Sequence, residues 1–346
     1  MKKIKICILN TSLYALGDLI MLSSNINNLK NAFLQKNIQV EFDFISRNSS
    51  KFLHKLVISL SSFYPIFNPK VNAFTIFVRL FNFLYLFLFG GYLNFKKYKY
   101  FLIISNNKRK TAKLIRQLYF NKIIHNFEDI YKIENLPLQN NQNNYQNFNF
   151  IEAKKFNKPT IGFFIGASST SKSWYPQNWA ELLLKMKNKF GDKISIHIYG
   201  SSILNGILYN MFKQECQKLN LKEGVDYISF VNKQDLIQDI SHAKGLDIAI
   251  TNDSGFMWVS AACKIHNIAI LGFNNDTYYS RFDKQYFYPI NANLVCSPCF
   301  ENYVNCKNKS LQNNNEFYNC MGYNKNQIDN VFDKILIILN KLQKIQ

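Results

Sequence analysis

The sequence predicts an α/β protein made of two doubly wound units, each with a mostly parallel sheet covered by helices. Apolar strand-like runs alternate with amphipathic stretches from residue 4, and the alternation restarts at residue 160. Between the halves lies a polar tract, Gln139-Asn-Asn-Gln-Asn-Asn-Tyr-Gln-Asn, of the composition expected for a linker or exposed loop. The length of 346 residues suits two cores, at a soft prior of ~150 residues per domain. The expected units are 1–150 and 151–346.

In the first unit, Ile4 to Leu9 has the continuous apolar run of a buried strand, and Leu16 to Lys36 reads as its following helix. Val40 to Ile45 and Tyr100 to Ser105 are further strands, and Arg109 to Tyr119 is a basic helix. The second unit opens with strand Thr160 to Ile165, then a Gly/Ser/Thr loop and a helix from Pro176 to Phe190. There follow strand Ile194 to Tyr199, a helix to Leu219, strand Tyr227 to Phe230 and a helix from Leu236 to Ala243. Strand Leu246 to Thr251, a short helix after Gly255, strand Ile268 to Leu271, a cysteine-bearing loop region and a helix from Gln327 to Leu342 complete the chain.

Composition narrows the class. Hydrophobic residues make up 47%, which excludes wholesale disorder and collagen-like repeats. The 42 Lys and Arg against 22 Asp and Glu leave a formal charge of +20, a field suited to nucleic acid, an anionic membrane face or phosphorylated small molecules. No RNA-module aromatics or zinc-finger spacing give that charge a nucleic-acid reading. The apolar run after Met1-Lys-Lys is short, carries Lys5 and lacks a small-residue cleavage site, so no secretory signal is expected. A cytoplasmic location with reduced thiols follows as the expectation.

Ligands of doubly wound folds sit at the carboxyl ends of the strands, where strand order reverses. Three runs fall there. Leu16-Gly17-Asp18 opens the first helix, and Asp18 is either a functional carboxylate or an acidic group on the helix dipole. Gly166-Ala-Ser168-Ser-Thr170-Ser-Lys172-Ser-Trp174 offers hydroxyls, amides and one ammonium to a phosphate, or is a plain polar loop. It lacks the Gly-Lys-Ser/Thr ending of a P-loop. Asn252-Asp253-Ser254-Gly255-Phe-Met-Trp258 opens a short helix whose free N–H groups suit an anion. Asp253 there would repel phosphate unless it bonds amides or a sugar hydroxyl, and an N-cap role is the structural alternative.

Four of the seven cysteines cluster as Cys296-Ser-Pro-Cys299, Cys306 and Cys320. They are either a four-thiolate structural zinc or iron site with uneven spacing, or a loop of free thiols. Cys7, Cys216 and Cys263 read as core. The five histidines are scattered, and no nucleophile elbow is present.

Taken in order, these motifs resemble glycosyltransferase family 9, the ADP-heptose:lipopolysaccharide heptosyltransferases. Ala15-Leu-Gly-Asp18, Gly166-Ala-Ser with Lys172 and Trp174, Asp253-Ser-Gly-Phe-Met257, and Cys-x-x-Cys with Cys320-Met321 carry the likeness, most strongly in the second half. The resemblance implies a GT-B fold, with two Rossmann-like domains facing across a cleft and the last helix crossing back onto the first domain. It implies an acceptor-binding first domain and a nucleotide-sugar-binding second one. Asp18 would be the catalytic base, Lys172 with Ser168 and Thr170 would meet the donor phosphates, and Asp253, Ser254 and Gly255 would hold the donor. Trp258 stands where family members commonly have His, so the sugar contacts differ there. No cofactor would be required for inverting transfer, and the acceptor would be an anionic glycolipid of the lipopolysaccharide or lipooligosaccharide core. Two alternatives stand beside this: a family 9 enzyme with another nucleotide sugar or a protein acceptor, and a basic nucleic-acid-binding protein without catalysis.

Phe74 to Leu93 is long enough to span a bilayer, yet it holds Arg79, Asn82 and Gly90-Gly91 inside a domain that must stay in one compartment. A buried or interfacial helix is expected, with Lys96, Lys97 and Lys99 near anionic headgroups and the protein peripheral to the inner membrane.

Overall fold

The computed structural model describes residues 1–10, 16–47, 62–66, 99–104, 123–124, 127–137, 148–200, 203–272, 282–297, 306, 309–312, 315–322 and 325–344. The segment Phe74 to Leu93, the basic helix Arg109 to Tyr119, the whole polar tract and Cys299 lie outside them. The chain divides into two compact units, Met1–Gln146 and Asn147–Gln346.

In the first unit, β1 (Lys2–Asn10) leads into α1 (Leu16–Gln35), followed by β2 (Ile38–Arg47), β3 (Ser62–Ile66), β4 (Tyr100–Ile104), β5 (Ile123–Ile124) and α2 (Phe127–Ile133). Helix α1 buries Leu19, Leu22, Ile26, Leu29 and Phe33, a three-and-four spacing that puts one apolar stripe on the sheet. It stops at Asn37, whose φ of 57° is the left-handed conformation asparagine tolerates best after glycine. The strands form one parallel sheet in the order β3-β2-β1-β4-β5.

The second unit contains β6 (Thr160–Phe164), α3 (Pro176–Phe190), β7 (Ser195–Tyr199), α4 (Ile203–Lys218), β8 (Ile228–Ser229) and α5 (Leu236–Gly245). Then come β9 (Ile248–Asn252), α6 (Gly255–Ala262), β10 (His266–Leu271), β11 (Phe287–Asn291), the antiparallel pair β12 (Lys309–Gln312) and β13 (Asn315–Tyr318), and α7 (Lys325–Lys341). Its parallel sheet runs β11-β10-β9-β6-β7-β8. Central strands β6 and β9 are buried at every position, which explains their mostly apolar sequence, with Thr160, Thr251 and Asn252 the polar exceptions. Pro176 starts α3 at the position where a missing N–H costs nothing, and Trp179, Leu182, Leu183, Met186 and Phe190 turn one face to the core. A capping box between Asp235 and Gln238 starts α5. Helix α7 packs on α3, β10 and β11 of its own unit.

Both sheets reverse direction beside their first strand. The switch point lies between β1 and β4 in the first unit and between β6 and β9 in the second. The fold is thus the α/β, GT-B class of two Rossmann-like domains. Strands β3 and β11 depart from the sequence expectation because each carries a proline, Pro65 and Pro289, which argues against a central strand. Both occupy sheet edges, the place that tolerates it. Strand β8 is shorter than the Tyr227 to Phe230 run, although Phe230 N–H still donates to the Ile198 carbonyl at 2.8 Å.

Candidate functional site

Of the three sequence-predicted runs, two meet at the second switch point. The Gly166–Trp174 loop leaves the carboxyl end of β6, and Asn252–Gly255 leaves that of β9. The ammonium of Lys172 and the carboxylate of Asp253 stand 3.4 Å apart, their side chains 24% and 10% exposed. A pair this sheltered is screened less than a surface one. Asp253 is therefore next to the one cation it needs if an anion is to be bound beside it. The N-cap of α6 is Ser254, with no side-chain cap hydrogen bond, so Asp253 does not serve as the simple cap weighed above.

Internal bonds shape the loop. Ser169 and Ser171 hydroxyls are 2.7 Å apart, and the Ser173 hydroxyl donates to the Ser169 carbonyl at 2.9 Å. These three hydroxyls are turned to the loop itself. Ser168 is exposed and Thr170 half-buried, so the donor-facing roles inherited from the resemblance rest on positions that solvent reaches. Residues 170–172 form a 3-10 turn that ends on Lys172, and β13 packs against it.

Asn252 is a site residue that sequence reasoning did not single out. It is fully buried; its Oδ1 accepts Trp174 N–H at 2.9 Å, and its Nδ2 donates to Ile165 O at 3.0 Å and Gly166 O at 3.3 Å. Its place just before Asp253 in the motif was the available signal. Trp174, also buried, donates Nε1–H to Gln327 at 3.2 Å, which ties α7 to the end of the loop. A second group missed is a stack of four rings across the carboxyl side of the sheet: Phe256 on Phe164, Phe164 on Tyr199 and Tyr199 on Phe230, with interplanar angles of 17°, 16° and 13°. Trp258 lies edge-on to Phe282, ring centroids 4.7 Å apart, which places it beside the β10–β11 connection.

Behind the stack runs a chain of polar groups. Gln234 Nε2 is 3.1 Å from His242 Nε2, His242 Nδ1 is 3.3 Å from Tyr199 Oη, Tyr199 Oη is 3.2 Å from His197 Nδ1, and His197 Nε2 is 2.9 Å from Ser195 Oγ. One direction satisfies every link with both rings neutral. The amide donates to His242, His242 to Tyr199, Tyr199 to His197, and His197 to Ser195. Burial, with His242 adding to it, holds His197 down to about 4. Asp239 lies close by on α5, 2% exposed, with no hydrogen-bond partner for its Oδ1. Burial, then the charge of Asp235, pushes its carboxyl up to about 7.

Asp18 stands in the first turn of α1 after β1, at the switch point of the first sheet. The structure describes its backbone position alone.

The proposed metal centre is not assembled by the described residues. No three His, Cys, Asp or Glu side chains gather among them, although Cys296, Cys306 and Cys320 are described. Two of the cysteine segments do converge on Gly272 at the end of β10. Ser297 Oγ donates to its carbonyl, and a Cβ on it would lie 3.1 Å from Cys320 Sγ.

The family model described as "Glycosyltransferase family 9 (heptosyltransferase)" matches residues 104–310. A curated relative, lipooligosaccharide heptosyltransferase 2 of Campylobacter jejuni subsp. jejuni serotype O:6 (strain 81116), is 26% identical over 206 residues, covering 59% of this chain. The match spans 60% of that relative's own length. Among solved structures, E. coli ADP-heptose LPS heptosyltransferase II aligns at TM-score 0.64 and 14% identity, over 99% of this chain and 100% of the other. The iron-containing dodecameric glycosyltransferase TibC of enterotoxigenic E. coli H10407 aligns at TM-score 0.51 and 12% identity, over 96% and 77%.

Proposed function

Because the chain belongs to glycosyltransferase family 9, we propose that it is an inverting glycosyltransferase that moves heptose from ADP-heptose onto a lipopolysaccharide or lipooligosaccharide core. The observation that carries this reading is the Lys172–Asp253 pair at the switch point between β6 and β9. A nucleotide diphosphate placed there meets an ammonium, the amides that open α6, and a carboxylate suited to sugar hydroxyls.

The chemistry needs one base and one anion site. Asp18 takes the proton of the acceptor hydroxyl as its oxygen attacks the anomeric carbon, and the bond to the diphosphate breaks in the same displacement. Negative charge grows on the departing ADP, where Lys172 and the amides after Asp253 stabilise it. A single displacement inverts the anomeric centre. No step runs through a metal. The structural iron or zinc considered for the cysteines is decided by elemental analysis of protein prepared without chelators, about one equivalent being the result that would restore it.

Trp258 supports a second donor as the alternative within the family, since it replaces the ring that family members commonly present to the sugar. The acceptor is read as an anionic glycolipid at the inner-membrane surface because the chain carries +20. No helix among the described residues is long and apolar enough to cross a membrane.

The test is a panel of nucleotide sugars scored by melting temperature and by transfer to a core acceptor that lacks heptose. At one common concentration ADP-heptose should give the largest shift, about 2.7 kcal/mol where that concentration is a hundred times its Kd. A larger shift with a different nucleotide sugar would reassign the donor. No shift with any of them would remove the enzymatic reading.

A further inference from the structure

We propose that Asn252 is a positioning residue for the donor, one that acts through the neck of the Gly166–Ser173 loop; this rests on the donor reading given above. The body of the loop is wired by its own serines and by Lys172 N–H and Ser173 N–H donating to Ser169 and Thr170 carbonyls. Such bonds set its local shape; its placement on the sheet is left to β13, which packs against the 170–172 turn, and to its two ends. Both ends meet on one side chain. The entering strand presents the Ile165 and Gly166 carbonyls to Asn252 Nδ2, and the departing chain presents Trp174 N–H to Asn252 Oδ1.

The orientation of that amide is unambiguous. Trp174 N–H can only donate and the two carbonyls can only accept, so oxygen and nitrogen each have one possible place. Among side chains of this length, only an amide offers both functions on one fork. An aspartate would set its second oxygen against two carbonyls, and a leucine would leave three buried backbone groups without partners. Asn252 also precedes Asp253 directly, so the residue that closes the loop neck and the residue that pairs with Lys172 leave β9 together. Fixing the neck fixes where the Lys172 ammonium stands relative to Asp253 and the start of α6.

The experiment is a double-mutant cycle read by calorimetry with ADP, using neutral replacements so that no new charge acts on the nucleotide. Asn252→Ala should weaken ADP binding by roughly tenfold or more, and Asn252→Ser, which keeps one hydrogen bond, by less. In a Lys172→Ala background the same changes should cost under about threefold, because the group they position is gone. In turnover, the loss should fall on the KM of the donor, with kcat within a few-fold. Thr251→Val supplies the comparison for plain destabilisation: it breaks the buried Thr251–Asn267 hydrogen bond of 2.9 Å, lowers the melting temperature and should leave ADP affinity unchanged. Additive losses in both backgrounds, or Asn252 variants that melt early yet bind ADP normally, would overturn the proposal while leaving the donor reading intact. Wild-type protein that fails to bind ADP would overturn both.

Discussion

The two parallel sheets follow one winding plan, 3-2-1-4-5 in the first unit and 3-2-1-4-5-6 in the second, and the described residues at their switch points differ. In the second unit the address between β6 and β9 holds an ion pair, a buried amide and a helix start, cross-linked by hydrogen bonds. In the first unit the matching address, after β1, holds a helix whose first turn carries Asp18. An anion site requires several dipoles held in fixed directions, so it has to be wired. A general base is one atom that must be reachable, and a single carboxylate suffices. On the function proposed above, the second unit would bind the donor and the first would supply the base.

Removing the base is the hardest test of that division. Asp18→Asn should lower transfer by ~10²–10⁴ while ADP affinity holds; a matching loss of ADP affinity would mean that both addresses bind. Next in size, Lys172→Ala should cost about 1.5–3 kcal/mol of ADP affinity by calorimetry, the range for a charge-assisted hydrogen bond. An unchanged Kd would leave the second address without its anion role.

A smaller effect probes the packing beneath the wired loop. A Cβ on Gly322 would lie 2.5 Å from Tyr175 Cβ, where Tyr175 N–H donates to Met321 O at 2.9 Å and Asn178 Nδ2 to Gly322 O at 2.9 Å. Gly322→Ala should destabilise by about 1–3 kcal/mol in a denaturant melt. ADP affinity should fall with it if the 319–322 segment supports the loop, and stay level if it does not.

A further expected change is in the pH profile. Asp239 has its pKa raised to about 7, so the folded state holds a proton that the unfolded chain has released above about 4. Stability from this group is complete below the unfolded value and is lost as pH rises through 7. His197 runs the other way: its lowered pKa makes stability grow from about 4 to the ordinary histidine value. The two slopes oppose each other over that shared window, and above it only the loss from Asp239 remains. Asp239→Asn should therefore steepen the gain across the acidic range and flatten the decline near neutrality, as read in pH-dependent melts.

What the sequence showed and concealed follows from these same residues. Parallel strands such as β6 and β9 are buried at every position and therefore mostly apolar, so both they and the runs that follow them were visible, as was the α1 stripe. Lys172, Asp253 and Ser254 were singled out because a strand's carboxyl end is a chemical address. Asn252 was not, because its role depends on a carbonyl and an N–H eight residues apart in the loop being brought to one point, which spacing does not reveal. The ring stack joins four different elements and has no local signature. The cysteine run looked like a ligand set by composition, but among the described residues the thiols do not gather.

The prolines that hid two strands have an effect of their own. Among the described residues, the outer strands of the two parallel sheets are poor templates: β3 carries Pro65, β11 carries Pro289, and β5 and β8 are two residues long. A rim of unpaired N–H and C=O groups invites a strand from another copy, and proline or brevity removes the regular ladder that such a strand would need. For a chain with 47% hydrophobic residues and long runs of Phe, Ile and Leu, this matters most at high concentration and while the sheets are forming. Proline and brevity at these outer strands disfavour edge-to-edge pairing with a second copy.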